Sequence, residues 1–88
     1  MSTVVSRMRD RLGALEPLSV EIDDDSAAHA GHAGAAGGGG HYRLRIVSAA
    51  FAGKGTLARH RLVYDALGDM MRRDVHALSI AASAPGEA

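Results

Sequence analysis

Five histidines and no cysteine are the chemically distinctive feature of this 88-residue chain. Three of the histidines, His29, His32 and His41, lie in or beside a stretch of alanine and glycine that follows three consecutive aspartates. Imidazole binds metal only when it is neutral, so such binding depends on pH. Without a thiolate, this chain can supply only the imidazole half of an iron–sulfur site. Metal binding and a purely structural role are both open for these histidines.

The other two histidines fall in predicted regular structure. His60 lies on the apolar face of a predicted helix over residues 56–74, where a lone histidine is usually a hydrogen-bonded core residue. His76 shares the parity of Leu78 in a predicted final strand, which permits either a buried role or a ligand at the mouth of that strand. His41 begins a strand on the parity of outward-facing arginines, so we expect it to be structural or exposed to solvent.

Hydrophobic spacing predicts five elements that must position these side chains. Apolar residues at helical spacing predict a helix over residues 4–15, and alternation predicts strands over 18–24 and 41–48. A longer helical pattern covers 56–74, and a last strand covers 75–82. A β-α-β crossover makes the second and last strands parallel. We predict an α+β fold of order αββαβ, a two-layer sandwich whose helices cover one face of a three-stranded mixed sheet.

Length and composition indicate a single small domain. We expect one domain over residues 1–88, with a flexible loop rich in glycine and histidine at about 25–40 and a short C-terminal tail at 83–88. The ten basic and ten acidic residues balance, which argues against a strong non-specific binder of polyanions. No apolar run approaches the roughly 18 residues of a membrane span, and the N-terminus lacks the apolar region of a signal peptide. We therefore predict a soluble cytoplasmic protein without membrane contact.

The segment HYRLRIVSAAFAGKGTLARHRLVYDALG, followed by VHALSI, resembles the BolA family. The residues that carry the match are Phe51, Gly53 and Lys54, then Arg59, His60, Arg61 and Val63, then Val75, His76, Ala77 and Leu78. The resemblance implies a fold similar to type II KH domains, in agreement with the order of elements predicted above. The loop of this chain is longer and richer in glycine than is usual in the family.

The resemblance also implies a function. BolA proteins pair with monothiol glutaredoxins, and the pair shares a [2Fe–2S] cluster with glutathione, for iron–sulfur trafficking or iron sensing. The BolA protein supplies a C-terminal histidine and a loop ligand, which correspond here to His76 and His29, with His32 as the alternative in the loop. We expect no enzyme activity, no cofactor bound tightly by the free protein, and a free protein that is a monomer or a weak homodimer.

Five basic residues without an intervening acidic residue support an alternative function. They are Arg43, Arg45, Lys54, Arg59 and Arg61. On a KH-like fold they could hold a phosphate backbone, which predicts nucleic-acid binding. The resemblance implies that such a protein would be a transcriptional regulator affecting cell shape and stress responses. The same patch could instead meet glutathione carboxylates or the acidic face of a partner. The zero net charge and the scarcity of aromatic residues disfavour nucleic acid.

Overall fold

The structure, a computed structural model, describes residues 4–24 and 40–87. Its elements are α1 (Val4–Leu12), β1 (Ser19–Asp24), β2 (Gly40–Val47), α2 (Thr56–Leu67), α3 (Met70–Arg73) and β3 (Val75–Ser83), with 3₁₀ turns at Gly13–Leu15 and Ala49–Phe51. β2 is central, antiparallel to β1 and parallel to β3, which confirms the predicted α+β fold and its mixed sheet. None of the described helices is long and apolar enough to cross a bilayer. His29 and His32 lie outside the described residues.

Alternating polarity sets the register of β1 on β2. Glu21 pairs with Arg45 and Asp23 with Arg43, so opposite charges face each other across the two strands. The Glu21 carboxylate lies 3.8 Å from the Arg45 guanidinium, and both side chains are exposed. Such a pair contributes only a few tenths of a kcal/mol, roughly. The inward parity of β1, which includes Ile22, is half-buried against the core.

The hydrophobic core lies between the sheet and the helices. Its buried members are Met8, Leu12, Tyr42, Leu44, Ile46, Phe51, Val63, Leu67, Met70, Val75 and Ala84. Phe51, the one phenylalanine of the chain, is fully buried in a turn that follows β2. Ser48 holds that turn, because its buried hydroxyl donates to the Leu15 carbonyl at 2.5 Å and accepts from the Ala50 amide at 3.1 Å. A satisfied buried hydroxyl therefore fixes the turn that inserts Phe51 into the core.

The long helix predicted over residues 56–74 is interrupted at Gly68. Gly68 has φ 58° and ψ −131°, a conformation that glycine adopts readily, so α2 ends at Leu67 and the short α3 follows. Arg11 of α1 fixes this break by donating to the Leu67 carbonyl at 2.8 Å and the Asp69 carboxylate at 2.9 Å. The hydrogen bond and charge of Arg11 hold the pKa of Asp69 below its ordinary value. Apolar spacing continued across the glycine, so periodicity did not reveal the break.

The core also covers less of α2 than the apolar spacing predicts. That spacing places Leu57 on the same face as Val63 and Leu67, yet the Leu57 side chain is 66% exposed. Val63 and Leu67 are fully buried, as predicted. At about 100° per residue, Leu57 lies roughly 120° around the helix from Val63, to one side of the buried stripe. The apolar pattern therefore identified the centre of the buried face but made that face too wide at Leu57.

The C-terminal turn is attached to α2 by an ion pair. The Arg59 guanidinium donates to both oxygens of the Glu87 carboxylate, at 2.6 and 2.9 Å, and also to the carbonyls of Lys54 and Ala82. The Ala84 amide donates to the same carboxylate at 3.0 Å. These hydrogen bonds lower the pKa of Glu87 from 4.5 to about 2. Arg59 lies four residues before the buried Val63, on the same side of α2 rather than on its outer side, and its side chain is only 15% exposed.

Truncation of Phe51 tests where the core lies. Phe51→Ala should lower the free energy of unfolding by about 3–5 kcal/mol, because it removes a fully buried ring and leaves a cavity. Leu57→Ala, the matched control at an exposed position of α2, should change the free energy of unfolding by less than about 0.5 kcal/mol. Urea unfolding followed by circular dichroism measures both. Equal effects of the two substitutions would contradict this description of the core.

The ion pair of Glu87 predicts a dependence of stability on pH. Because folding lowers the pKa of Glu87 from 4.5 to about 2, its contribution is complete above the unfolded value and is lost as pH falls through the folded value. The difference in Tm between wild type and Glu87→Gln should be constant above about pH 5.5 and shrink towards pH 2. Asp65→Asn, which removes an exposed carboxylate from α2, is the control. A difference in Tm between wild type and Glu87→Gln that stays the same from about pH 6 to about pH 2 would argue against the ion pair.

Candidate metal centre

Two imidazoles lie in contact where β2 and β3 begin. The ring centroids of His41 and His76 are 5.2 Å apart, and the ring planes are inclined by 38°. His76 is exposed and His41 is half-buried. Both side chains therefore reach a surface that a metal-bearing partner can approach.

An irregularity in the parallel pairing explains why His76 points to solvent. Gly40 pairs with Val75 but His41 pairs with Ala77, so β3 contains one extra residue at His76. A bulge of this kind reverses the parity of the strand beyond it and re-aims a side chain. Val75 is buried, whereas His76 and Ala77 are both exposed. His76 therefore does not share the half-buried environment of Leu78, although the two residues have the same parity in the sequence.

Asp74 holds the starts of both strands together. Its carbonyl accepts a hydrogen bond from the Gly40 amide at 3.1 Å, and its carboxylate lies 3.0 Å from the Arg7 guanidinium of α1. The Asp74 amide in turn donates to the Met70 carbonyl at 2.9 Å and ends α3. Asp74 thus ties the residues that precede His41 and His76 to helices α1 and α3. Rigid backbone on both sides is what a preorganised pair of ligands requires.

Two arginines give the surroundings of His76 a positive charge. A shallow depression of about 120 Å³ is lined by Met71, Arg72, Arg73, Val75 and His76. Arg72 and Arg73 are exposed at the C-terminal end of α3. Within residues 4–24 and 40–87, no group of three or more histidine, cysteine, aspartate or glutamate side chains is close enough to hold a metal ion. The described part of the site consists of two imidazoles in an electropositive setting.

His60 lies at a different place in the fold. It is half-buried, and its ring packs edge-on against Tyr64 at a centroid distance of 6.5 Å. It lines a groove together with Thr56, Arg59 and Ile80 rather than belonging to the buried core cluster. The structure therefore places it at the margin of the core, where the sequence predicted a core residue.

The five basic residues of the alternative site do not share one surface. Arg43 and Arg45 are exposed on the sheet face opposite the helices, since Leu44 and Ile46 of the same strand enter the core. Arg59 lies on the helical side and is occupied by Glu87. Lys54 and Arg61 are also exposed. Lys54 lies just before the start of α2, and Arg61 lies within α2. The fold therefore does not bring all five residues together on a single phosphate-binding surface.

The sequence did not predict the contact of His41 with His76, nor the role of Glu87. The expectation that His41 is structural or solvent-exposed stays a prediction, and the structure adds that its ring contacts that of His76. A signal for this was present, because parallel pairing brings the first residues of two strands to the same end of a sheet. Glu87 carried no such signal, since its partner Arg59 is 28 residues away and no periodicity relates them.

Gly40 controls the position of His41. A Cβ at residue 40 would overlap the ring of Tyr42, which is buried in the core. Gly40→Ala should therefore destabilise the protein by about 1–3 kcal/mol and displace His41 from His76. Gly13→Ala, where a Cβ has no neighbour within 4 Å, is the control and should be neutral or slightly stabilising.

Thermal unfolding and the nuclear Overhauser effect between the two imidazoles measure these consequences. The effect should persist in Gly13→Ala and weaken in Gly40→Ala. Equal stability and an equal Overhauser effect in the two variants would show that the glycine does not position His41.

The chain is similar to named proteins over most of its length. It is 47% identical over 87 residues to SufE-like protein 1, chloroplastic/mitochondrial, of Arabidopsis thaliana, covering 92% of this chain but 24% of that protein. It is 44% identical over 86 residues to Protein BOLA1, chloroplastic, of the same plant, covering 93% of this chain and 54% of the relative. An uncharacterized protein in the cobS 5′ region of Sinorhizobium sp is 38% identical, with coverage of 99% and 96%. The chain thus spans about a quarter of the first of these relatives and about half of the second.

Solved structures and a family model agree with these similarities. The BolA domain of SufE1 from Arabidopsis thaliana superposes with a TM-score of 0.84 at 44% identity, covering 100% of this chain and 99% of that one. BolA1 from Arabidopsis thaliana gives a TM-score of 0.82 at 37% identity, with coverage of 100% and 99%. The family model for BolA-like proteins matches residues 12–87, which include β1, β2, α2 and β3 and therefore both His41 and His76. This chain belongs to the BolA-like protein family.

Proposed function

We propose that this chain is a non-enzymatic partner of a monothiol glutaredoxin and supplies imidazole ligands to a [2Fe–2S] cluster. The cluster is shared with the glutaredoxin and with glutathione, and it serves iron–sulfur trafficking or iron sensing. The observation that carries the proposal is the contact between the exposed His76 and the half-buried His41. The cluster would supply the iron and sulfide, and the chain would supply neutral nitrogen donors.

The chemistry of the donors supports a shared cluster. Two imidazoles can ligate one iron of a [2Fe–2S] cluster when thiolates ligate the other, as in Rieske centres. This chain has no cysteine, so the thiolates must come from a partner. Thiolates and sulfides are anionic, and Arg72 and Arg73 beside His76 favour the approach of such a group.

The second ligand has three candidates. The family resemblance assigns His29, with His32 as the alternative, in the segment that joins β1 to β2. That segment is attached at Asp24, which pairs with Tyr42 next to His41, so its two ends lie at the same end of the sheet as His76. His41 is the third candidate because it already contacts His76. The proposal therefore takes His76 as the constant ligand and leaves the choice of the second to experiment.

The proposal also covers where the protein is located and the state of the free protein. A cytoplasmic location stays a prediction, since the Arabidopsis relatives are named for the chloroplast and mitochondrion. A free protein without a tightly bound cofactor, as a monomer or weak homodimer, is also proposed. The fold separates the five basic residues that suggested nucleic-acid binding, and this disfavours that alternative.

A spectroscopic titration tests the proposal. The [2Fe–2S] cluster of a monothiol glutaredoxin, with glutathione, is followed by visible absorption and circular dichroism as this protein is added. Wild type should change the spectrum with saturation near equal stoichiometry, and His76→Ala should weaken the effect by more than about tenfold. His29→Ala, His32→Ala and His41→Ala are compared side by side, and one of them should alter the spectrum of the shared cluster.

His60→Ala is the matched control for loss of an imidazole. His60 lies in the groove beside α2 and should leave the titration unchanged. An unchanged spectrum with wild type would refute cluster sharing. A full response in His76→Ala would refute the ligand assignment.

A further inference from the structure

The outer edge of β3 offers backbone groups to a further strand. The sheet order β1-β2-β3 places β3 at one edge, and within the described residues no strand pairs with its outer side. The Ser48 amide donates to the Ser83 carbonyl at 3.0 Å, so Ser83 faces β2. Because backbone direction alternates along a strand, Leu78 and Ile80 present their amides and carbonyls to the outer edge. Arg59 donates to the Ala82 carbonyl at 3.1 Å, in agreement with this parity.

The composition of β3 does not protect this edge. The nine residues VHALSIAAS contain no lysine, arginine, aspartate, glutamate or proline. Proteins usually protect an edge strand with charges, proline or a very short length, and unprotected edges pair with other chains. The opposite edge of the sheet is protected, since β1 carries Glu21, Asp23 and Asp24 among its six residues. The two edges therefore differ, and only β3 has the properties of a strand acceptor.

A groove that contains Lys54 and the Arg59–Glu87 ion pair runs beside the exposed edge. It has a volume of about 440 Å³ and lies between the start of α2 and the end of β3, where Lys54, Arg59 and His60 face Ile80 and Ala82. No acidic residue occurs in the sequence between Asp25 and Asp65. The carboxylate of Glu87 already lies at this groove, held by both terminal nitrogens of Arg59. Since Arg59 is held by Glu87, the groove combines strand-pairing groups with one exposed cation, Lys54, that can meet a carboxylate of a peptide.

We propose that the outer edge of β3 and the adjoining groove bind an extended acidic peptide segment of a partner protein by strand addition. Backbone pairing along Leu78 and Ile80 would hold the segment, and Lys54 would attract its carboxylates. A peptide suits the site better than nucleic acid, because the edge offers alternating amide donors and carbonyl acceptors. The zero net charge of the chain also makes strong binding of a polyanion unfavourable.

Nuclear magnetic resonance of the ¹⁵N-labelled full chain tests this proposal. The probe is the hexapeptide Glu-Val-Glu-Val-Glu-Val, acetylated and amidated at its ends. We expect saturable shifts centred on Leu78, Ile80 and Lys54, and slower hydrogen exchange of the Leu78 and Ile80 amides. The same peptide methylated at every backbone nitrogen keeps its carboxylates but loses its donors, and it should not bind.

Charge variants separate this site from the rest of the surface. Lys54→Glu should weaken peptide binding by about threefold or more, and the effect should shrink at high salt. Arg9→Glu makes the same change of charge on α1, beside the opposite edge of the sheet, and should leave binding unchanged.

Four results would overturn the proposal. The first is no saturable shift up to about 1 mM peptide, a concentration that detects even weak association. The second is equal binding of the N-methylated peptide, which would exclude strand addition. The third is a shift of the same amides by decathymidylate but not by the peptide, which would make the groove a nucleic-acid site. The fourth is a dimeric free protein whose Leu78 and Ile80 amides are already protected, which would assign the edge to a second copy of the chain.

Discussion

Hydrogen bonding on both edges of β2 is the constraint on which the rest of the structure depends. β1 occupies one edge and β3 the other, so β2 cannot change register without breaking two ladders. The strand sends Tyr42, Leu44 and Ile46 into the core and leaves Arg43 and Arg45 on the opposite face. A slip of one residue would bury arginines and expose the core, at a cost that no surface contact could offset. The packing of its neighbours therefore determines where His41 lies.

Parallel pairing of β2 with β3 then brings two imidazoles to one end of the sheet. His41 follows Gly40 at the start of β2, and His76 occupies the extra position at the start of β3. The bulge is essential to this arrangement, because a regular strand would give His76 the inward parity of Leu78. The segment that carries His29 and His32 is attached at the same end. Of the histidines in the described ranges, the fold brings His41 and His76 to one end of the sheet and leaves His60 in the groove beside α2.

The two ends of β3 have different chemical character. Its first residues carry an imidazole beside two arginines, and its last residues border a groove with an exposed backbone edge. Ile80 and His76 are four residues apart, which is roughly 13 Å along a strand. A partner strand added to β3 would run towards His76. The proposed cluster site and the proposed peptide site therefore lie on the same strand, and each is tested independently.

Much of the fold could be predicted from the sequence because its signals are local. Alternation in residues 18–24 and 41–48 identified two strands, and helical spacing identified the buried face at Val63 and Leu67. The crossover rule then made the last strand parallel, which the structure confirms. Local signals failed where a single residue interrupts a regular pattern. Gly68 ended α2 within a continuous apolar repeat, and Leu57 was assigned to a core that does not reach it.

The sequence by itself determined the chemistry this chain can contribute, namely five imidazoles, no thiolate and an uncharged last strand. It also identified His76 as a candidate ligand, through a resemblance rather than through periodicity. Only the tertiary structure decided that His41 contacts His76, that the bulge turns His76 outwards, and that Glu87 holds Arg59. Each of these depends on residues far apart in the chain and on the register of strand pairing. Side-chain spacing reports which face of one element is buried, whereas a site between elements exists only after the core has fixed their register.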